Sequence, residues 1–149
     1  CVAYQLQKHG LRSDRYPFDW LRYKKVEQLI ECLENKFDKF DDVVGMKTPK
    51  GIFHLVRDGV LTEDNSEKIL INKYKMEFPH DENLSGYSRR IERMMKVPLA
   101  DYIIDCKVTD EQIEKIKKCL PNVRKFIVVE SVGYSNWQKD HLDWGKWLL

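Results

Sequence analysis

The chain has 149 residues, with 26 lysines and arginines against 24 aspartates and glutamates for a formal net charge of +2. That length is one domain, long enough to bury about two-thirds of its unfolded surface without covalent staples. So small a net charge excludes the broad basic field of a nucleic-acid scavenger, and no apolar run approaches the ~18 residues of a membrane span, so neither nucleic acid nor membrane is an expected partner.

Taken in chain order, residues 1–9 place Val2, Ala3 and Leu6 on one side of a helix that stops at Gly10, a residue suited to the left-handed turn after a helix. The stretch from Asp14 to Trp20 is a loop, because Pro17 denies the preceding residue the helical region. From Tyr23 to Phe40, Val26, Leu29, Ile30, Leu33, Phe37 and Phe40 recur at helical spacing and predict the strongest helix of the sequence. Gly51 to Val56 reads as a short strand, Asp58-Gly59 as a turn, and Ile69 to Phe78 as strands or a hairpin with Tyr74, Met76 and Phe78 opposing Lys73, Lys75 and Glu77.

A helix is predicted over 85–96, with Tyr87, Ile91, Met94 and Met95 inward and Pro98 beyond its end. Tyr102-Ile103-Ile104 then forms a buried strand. Thr109 to Gln112 fits a capping box, Ile113, Ile116 and Leu120 line a helix, and Phe126 to Val129 is a second strand. Strand, helix, strand at this length implies a parallel crossover. The fold class is α/β: a mixed sheet with a C-terminal parallel strand-helix-strand unit and flanking helices. Residues 1–132 are expected to form this one domain, with an N-terminal strand missing ahead of Cys1. Residues 133–149, which hold Trp137, Trp144 and Trp147, form an aromatic C-terminal tail.

The four cysteines, Cys1, Cys32, Cys106 and Cys119, contain no CxxC pair, which suits reduced thiols in an intracellular compartment and argues against structural zinc. No Gly-rich phosphate loop is present, and no cofactor or metal is expected. Cys1 stands at the predicted start of the first helix, where unpaired N–H groups favour thiolate over thiol and make it a candidate nucleophile. The alternative is a small buried hydrophobe in the first turn.

Cys1 with the helix after it, Gly10-Leu11-Arg12, Tyr16-Pro17-Phe18-Asp19-Trp20, the Val26 to Phe40 helix, Phe78-x-His80-Asp81 and Tyr87-x-Arg89-Arg90-Ile91-Glu92-Arg93 together resemble a family of papain-like cysteine peptidases of bacteria and large DNA viruses. The resemblance covers about the first two-thirds of the chain. In that family a short strand and a Gly-Ser-Asn type turn precede the cysteine, and both are expected upstream of Cys1. Glu82 departs from the family by replacing the aromatic residue that follows His-Asp, and residues 101–106 lack the arginine that ends the next strand.

The resemblance implies that Cys1 is the nucleophile and His80 the general base, with a third group to hold the imidazole. Asp81 is adjacent in sequence, but neighbouring strand residues face opposite ways. Asp19 is its rival, or else a cap for the turn near Trp20. The sulfur of Cys1 is then expected within about 4–6 Å of a His80 ring nitrogen. Phe18 and Trp20 are expected to be substantially buried and to pack against the first helix, fixing Cys1. Trp20 with Arg89, Arg90 and Arg93 makes a candidate substrate-binding set; the three guanidinium groups either clamp a carboxylate or phosphate or form an ion-pair network with Glu92 and Asp81.

His54 reads as a strand residue, His9 as a partner for a helix C-terminus, and His141, beside Asp140 and Asp143, as a solvated turn residue or else a metal ligand. Two functional classes follow. One is a cysteine peptidase or related thiol hydrolase acting on a protein or peptide substrate in the cytoplasm. The other is a non-catalytic structural protein, such as a minor capsid or virion component, that meets protein partners through its Trp-rich tail. The tail either folds back on the domain or docks, and docking requires its three rings to stand exposed.

Overall fold

The computed structural model describes residues 2–12, 14–48, 51–54 and 69–149; Cys1 and the Asp58-Gly59 turn lie outside them. In chain order the elements are α1 (Val2–Lys8), α2 (Val26–Glu34), β1 (Val43–Thr48), β2 (Gly51–His54), β3 (Ile69–Asn72), β4 (Glu77–Phe78), α3 (Tyr87–Lys96), β5 (Ala100–Ile104), α4 (Asp110–Cys119), β6 (Val123–Val128), α5 (Asn136–His141) and α6 (Gly145–Leu148). The antiparallel strands form one sheet in the order β2-β1-β3-β4, and β5 and β6 pair in parallel. The protein is therefore α/β with a C-terminal parallel strand-helix-strand unit, its antiparallel and parallel strands lying in two sheets rather than one. Among the described residues no helix is long and apolar enough to cross a membrane.

The crossover helix α4 starts as its sequence demands: the Thr109 hydroxyl accepts from the Gln112 amide at 3.2 Å, and the Gln112 side chain accepts from the Thr109 amide at 2.9 Å. α2 is shorter at both ends than its apolar spacing predicts. At its start, Arg22 and Glu77 exchange two backbone hydrogen bonds of 2.8 Å, which leaves Tyr23 outside the helix. At its end, Lys36, Phe37 and Lys39 take φ of 53°, 60° and 55°, which no right-handed helix accommodates. Phe37 and Phe40 still reach the core, from consecutive turns rather than from helix. β1 escaped the sequence reading because a bulge between Val43 and Gly45 breaks its alternation. In α3, Tyr87 and Met94 are buried as expected, but Met95 is 42% exposed.

The core gathers Leu29, Ile30 and Leu33 of α2, Met46 and Leu70 of the antiparallel sheet, Ile104 of β5 and Ile116 of α4. An aromatic cluster joins these layers, with Phe40 centred 5.8 Å from Phe78, 5.6 Å from Tyr87 and 6.1 Å from Phe18. Such edge-on contacts add to the area that the rings bury.

The tail folds back. Trp144 is wholly buried, and its indole N–H donates to the Lys139 carbonyl at 3.0 Å, so the expectation of three exposed tryptophans fails for this ring. Trp147 is half-buried and meets Trp144 edge-on at 5.9 Å; the Trp137 side chain is outside the described residues. The contact that ties the tail to the start of the chain comes from Gln5 of α1, which is 0% exposed. Its amide nitrogen donates to the carbonyls of Asp140 (3.0 Å), Leu142 (3.2 Å) and Lys139 (3.4 Å), satisfying the orphan acceptors at the end of α5. Lys139 reaches in turn to Asp105 at 3.2 Å, where Asp105 also accepts the Ser131 hydroxyl.

Burial makes the fold sensitive to alkali. It pushes the Cys32 thiol up to about 12 and raises Cys106 and Cys119, while desolvation also lifts the phenols of Tyr23, Tyr74 and Tyr87. The unfolded chain ionises these groups first, so stability is at its full value below about pH 9 and falls above it. The decline steepens by about 1.4 kcal/mol per pH unit for each group that titrates only in the unfolded state. Urea midpoints measured from pH 7 to 11 should therefore drop beyond pH 9; a flat profile would mean that these side chains are solvated.

Candidate functional site

Three pieces of local structure converge on one cleft. The first is the loop before α2. The Asp19 carboxylate accepts from the Tyr16 amide at 2.8 Å and from Arg12 Nη1 at 3.0 Å, closing the turn around Pro17; the Arg12 and Asp19 side chains are only 11% and 12% exposed. This is the role of a turn residue held by a buried ion pair.

The second is the β3–β4 hairpin. Asn72 is buried, and its side chain accepts from the Tyr74 and Met76 amides at 3.0 and 3.1 Å while donating to the Phe40 carbonyl at 3.1 Å. Lys75 takes φ of 59° in the turn, and the chain emerges through Phe78 and Pro79 to His80. The Arg22–Glu77 bridge fastens the loop to β4, which sets the Trp20 ring edge-on to the His80 imidazole at 5.6 Å and 78°. Arg12 covers Trp20 from 5.3 Å.

The third piece is α1 with the tail behind it. Val2, the first described residue of α1, lines the same cleft as Trp20, His80 and Asp140, a cavity of about 590 Å³ that also takes in Tyr23 and Cys106.

Cys1 lies outside the described residues, so the expected Cys1–His80 distance has no counterpart here. His80 is exposed, and among the described residues nothing hydrogen-bonds its imidazole. Asp81 accepts the Tyr87 hydroxyl at 2.7 Å, and Asp19 is held by Arg12 and Tyr16. Both carboxylates are therefore engaged away from His80. Trp20 and Phe18 are both half-buried. The ring contacts of Phe18 run to Phe37 and Phe40, those of Trp20 to His80 and Arg12, so neither packs its ring on a ring of α1. Arg89, Arg90 and Arg93 line a separate cavity with Arg12 and Arg15.

The cleft also holds groups that sequence reasoning passed over. Among the described residues nothing hydrogen-bonds one buried carboxylate oxygen of Asp140. No local signal marks it: Asp140 reads as a turn residue until the tail folds back. Cys106 hydrogen-bonds Tyr23, and burial holds its thiol above the ordinary range. A thiol so placed stays protonated at neutral pH, which disqualifies it as a resting nucleophile. Among the described residues no three His, Cys, Asp or Glu side chains are grouped to hold a metal ion.

Over 84 residues, 54% of its length, the chain is 31% identical to "Uncharacterized protein R408" of Acanthamoeba polyphaga mimivirus, and this stretch spans 38% of that protein. No solved structure matches the chain at a significant level. Residues 1–99 match the family described as "Putative papain-like cysteine peptidase", a span that holds α1, the Trp20 loop, His80 and α3. The chain belongs to that family.

Proposed function

We propose that the protein is a thiol hydrolase that cleaves peptide or related acyl bonds, with Cys1 as nucleophile, His80 as general base and Asp140 as the carboxylate that steadies the imidazole. The observation that carries this reading is that Val2, the neighbour of Cys1 in sequence, and His80 line one cleft. The family supports it, and Asp140 enters because, of the three carboxylates lining that cleft, it is the one with a buried oxygen that lacks a donor among the described residues. In the reaction His80 takes the thiol proton as sulfur bonds to the carbonyl carbon. The same proton passes to the leaving amine as the C–N bond breaks, and water, deprotonated by His80, releases the acid from the thioester.

The test is alkylation by iodoacetamide across pH 5–9, read cysteine by cysteine by mass spectrometry. Cys1 should react already at about pH 6–7, as an imidazole-paired thiol does. Cys32, Cys106 and Cys119 should stay unlabelled, because burial raises all three. His80→Ala should move the Cys1 profile up toward about 8.5, the value of a free cysteine. A Cys1 that already follows the free-thiol profile in the wild type, or a Cys106 that reacts first, would overturn the assignment.

A further inference from the structure

The second cavity, of about 610 Å³, is walled by Gln7, Asp14, Gly86 and five arginines from two distant stretches of chain: Arg12 and Arg15 before the Trp20 loop, Arg89, Arg90 and Arg93 on the first turns of α3. The ion-pair network that sequence reasoning offered for these arginines does not form. Glu92 pairs with Lys96 at 2.6 Å, and Asp81 takes the Tyr87 hydroxyl. Arg12 alone is neutralised, by Asp19. Among the described residues no carboxylate lies within ion-pair distance of Arg15, Arg89, Arg90 or Arg93. Asp14 is the one acidic residue in the wall.

Concentrating four unpaired guanidinium groups in one concavity is electrostatically unfavourable without an anion, yet two of the four are held there by specific contacts. Arg93 donates to the Arg15 carbonyl at 2.7 Å, which pins α3 to the loop, and Arg90 lies 4.4 Å above the Tyr87 ring. Each contact uses part of a guanidinium and leaves other N–H groups for the cavity. Among the described residues the wall contains no aromatic and no aliphatic side chain, so these offer nothing to stack a base or seat an apolar chain.

We propose that this cavity binds a phosphate group. A phosphate dianion spreads its charge over three terminal oxygens and accepts several guanidinium forks at once, which suits four arginines better than the single charge of a carboxylate does. Gly86, which takes φ of 88° at the start of α3, lies in the wall with open space where a Cβ would stand, so no side chain narrows the cavity on that side. Arg12 links the site to the His80 cleft, since the same guanidinium borders the cavity and covers Trp20.

The test is calorimetric titration of the full chain at low ionic strength with pyrophosphate, with a phosphoserine peptide, and with the same peptide carrying glutamate in place of phosphoserine. Saturable binding of one pyrophosphate per chain is expected, weakened at least about tenfold in Arg15→Gln and again in Arg89→Gln, whose side chains make no contacts that the fold depends on. Lys118→Gln on the exposed face of α4 should leave it unchanged. Tight binding of the phosphoserine peptide as well identifies a phosphorylated polypeptide as the source of the group, whereas pyrophosphate binding alone identifies a small free anion. No saturable binding of either, equal loss in Lys118→Gln, or a glutamate peptide that binds as tightly as the phosphorylated one would overturn the proposal. Heat of binding is read without any hydrolysis, so the outcome is independent of the role of Cys1.

Discussion

Trp144→Ala should cost about 3–5 kcal/mol of stability, the range for removing a large aromatic from a closed core. The ring is wholly buried, so the substitution opens a cavity, and the loss of its indole N–H takes from the Lys139 carbonyl its shortest hydrogen bond, leaving the Leu142 amide at 3.3 Å and Gln5 at 3.4 Å. The effect should extend beyond the tail. The end of α5 is held against α1 by Gln5, and a further anchor is the Lys139–Asp105 pair, whose side chains are 18% and 8% exposed. Gln5→Ala, which strips donors from three carbonyls while leaving the indole in place, should cost less, about 1–3 kcal/mol. Urea denaturation of both variants measures these losses. A midpoint unchanged in Trp144→Ala would mean that the ring is not seated and would return the tail to the status of a docking segment.

The C-terminal unit was legible in the sequence because each of its signals is local. The Thr109–Gln112 box, the apolar run in β5 and the stop at Pro121 all act within a few residues of where they are written. α2 shows the limit of periodicity. Phe37 and Phe40 keep the helical spacing and reach the core, but their backbone is a chain of turns, since burial constrains where a side chain goes and leaves the path to it open. The site was only half legible for a related reason. Trp20 and His80 were singled out, and a two-bond bridge between Arg22 and Glu77 brings their rings together. That bridge has no sequence signature, because backbone groups make it. Asp140 was invisible as a site residue because it enters the cleft only through the fold-back that Gln5 and Trp144 hold in place.

The arginine cavity was half-seen as well. Arg89, Arg90 and Arg93 were legible as a cluster, but a whole-chain charge of +2 conceals how unevenly the charge is distributed. The neighbouring acids appeared available for pairing until the structure turned Glu92 toward Lys96 and Asp81 toward Tyr87. Opposite charges adjacent in sequence are often not neighbours across a helix surface: Glu92 meets Lys96 four residues on, the spacing that brings side chains together.

Three carboxylates compete for the role of holding His80, and their substitution by asparagine separates them by sign and by readout. A carboxylate beside the imidazole stabilises the imidazolium, which in turn stabilises the thiolate, so its loss must raise the apparent pKa of the Cys1 thiol. Asp140→Asn should therefore shift the pH profile of Cys1 alkylation upward, the effect of removing an opposite charge from the cleft, while stability changes little because the buried oxygen has no hydrogen bond to lose among the described residues. Asp81→Asn should leave the profile in place and cost only the Tyr87 hydrogen bond, about 1 kcal/mol. Asp19→Asn breaks a buried pair with Arg12, so its signature is a loss of about 3–5 kcal/mol in denaturant. Its alkylation profile should move less than that of Asp140→Asn, because Arg12 and the Tyr16 amide already occupy the Asp19 carboxylate. A profile that shifts in Asp19→Asn and holds still in Asp140→Asn would reassign the steadying carboxylate to the Trp20 loop and leave the buried oxygen of Asp140 without a function.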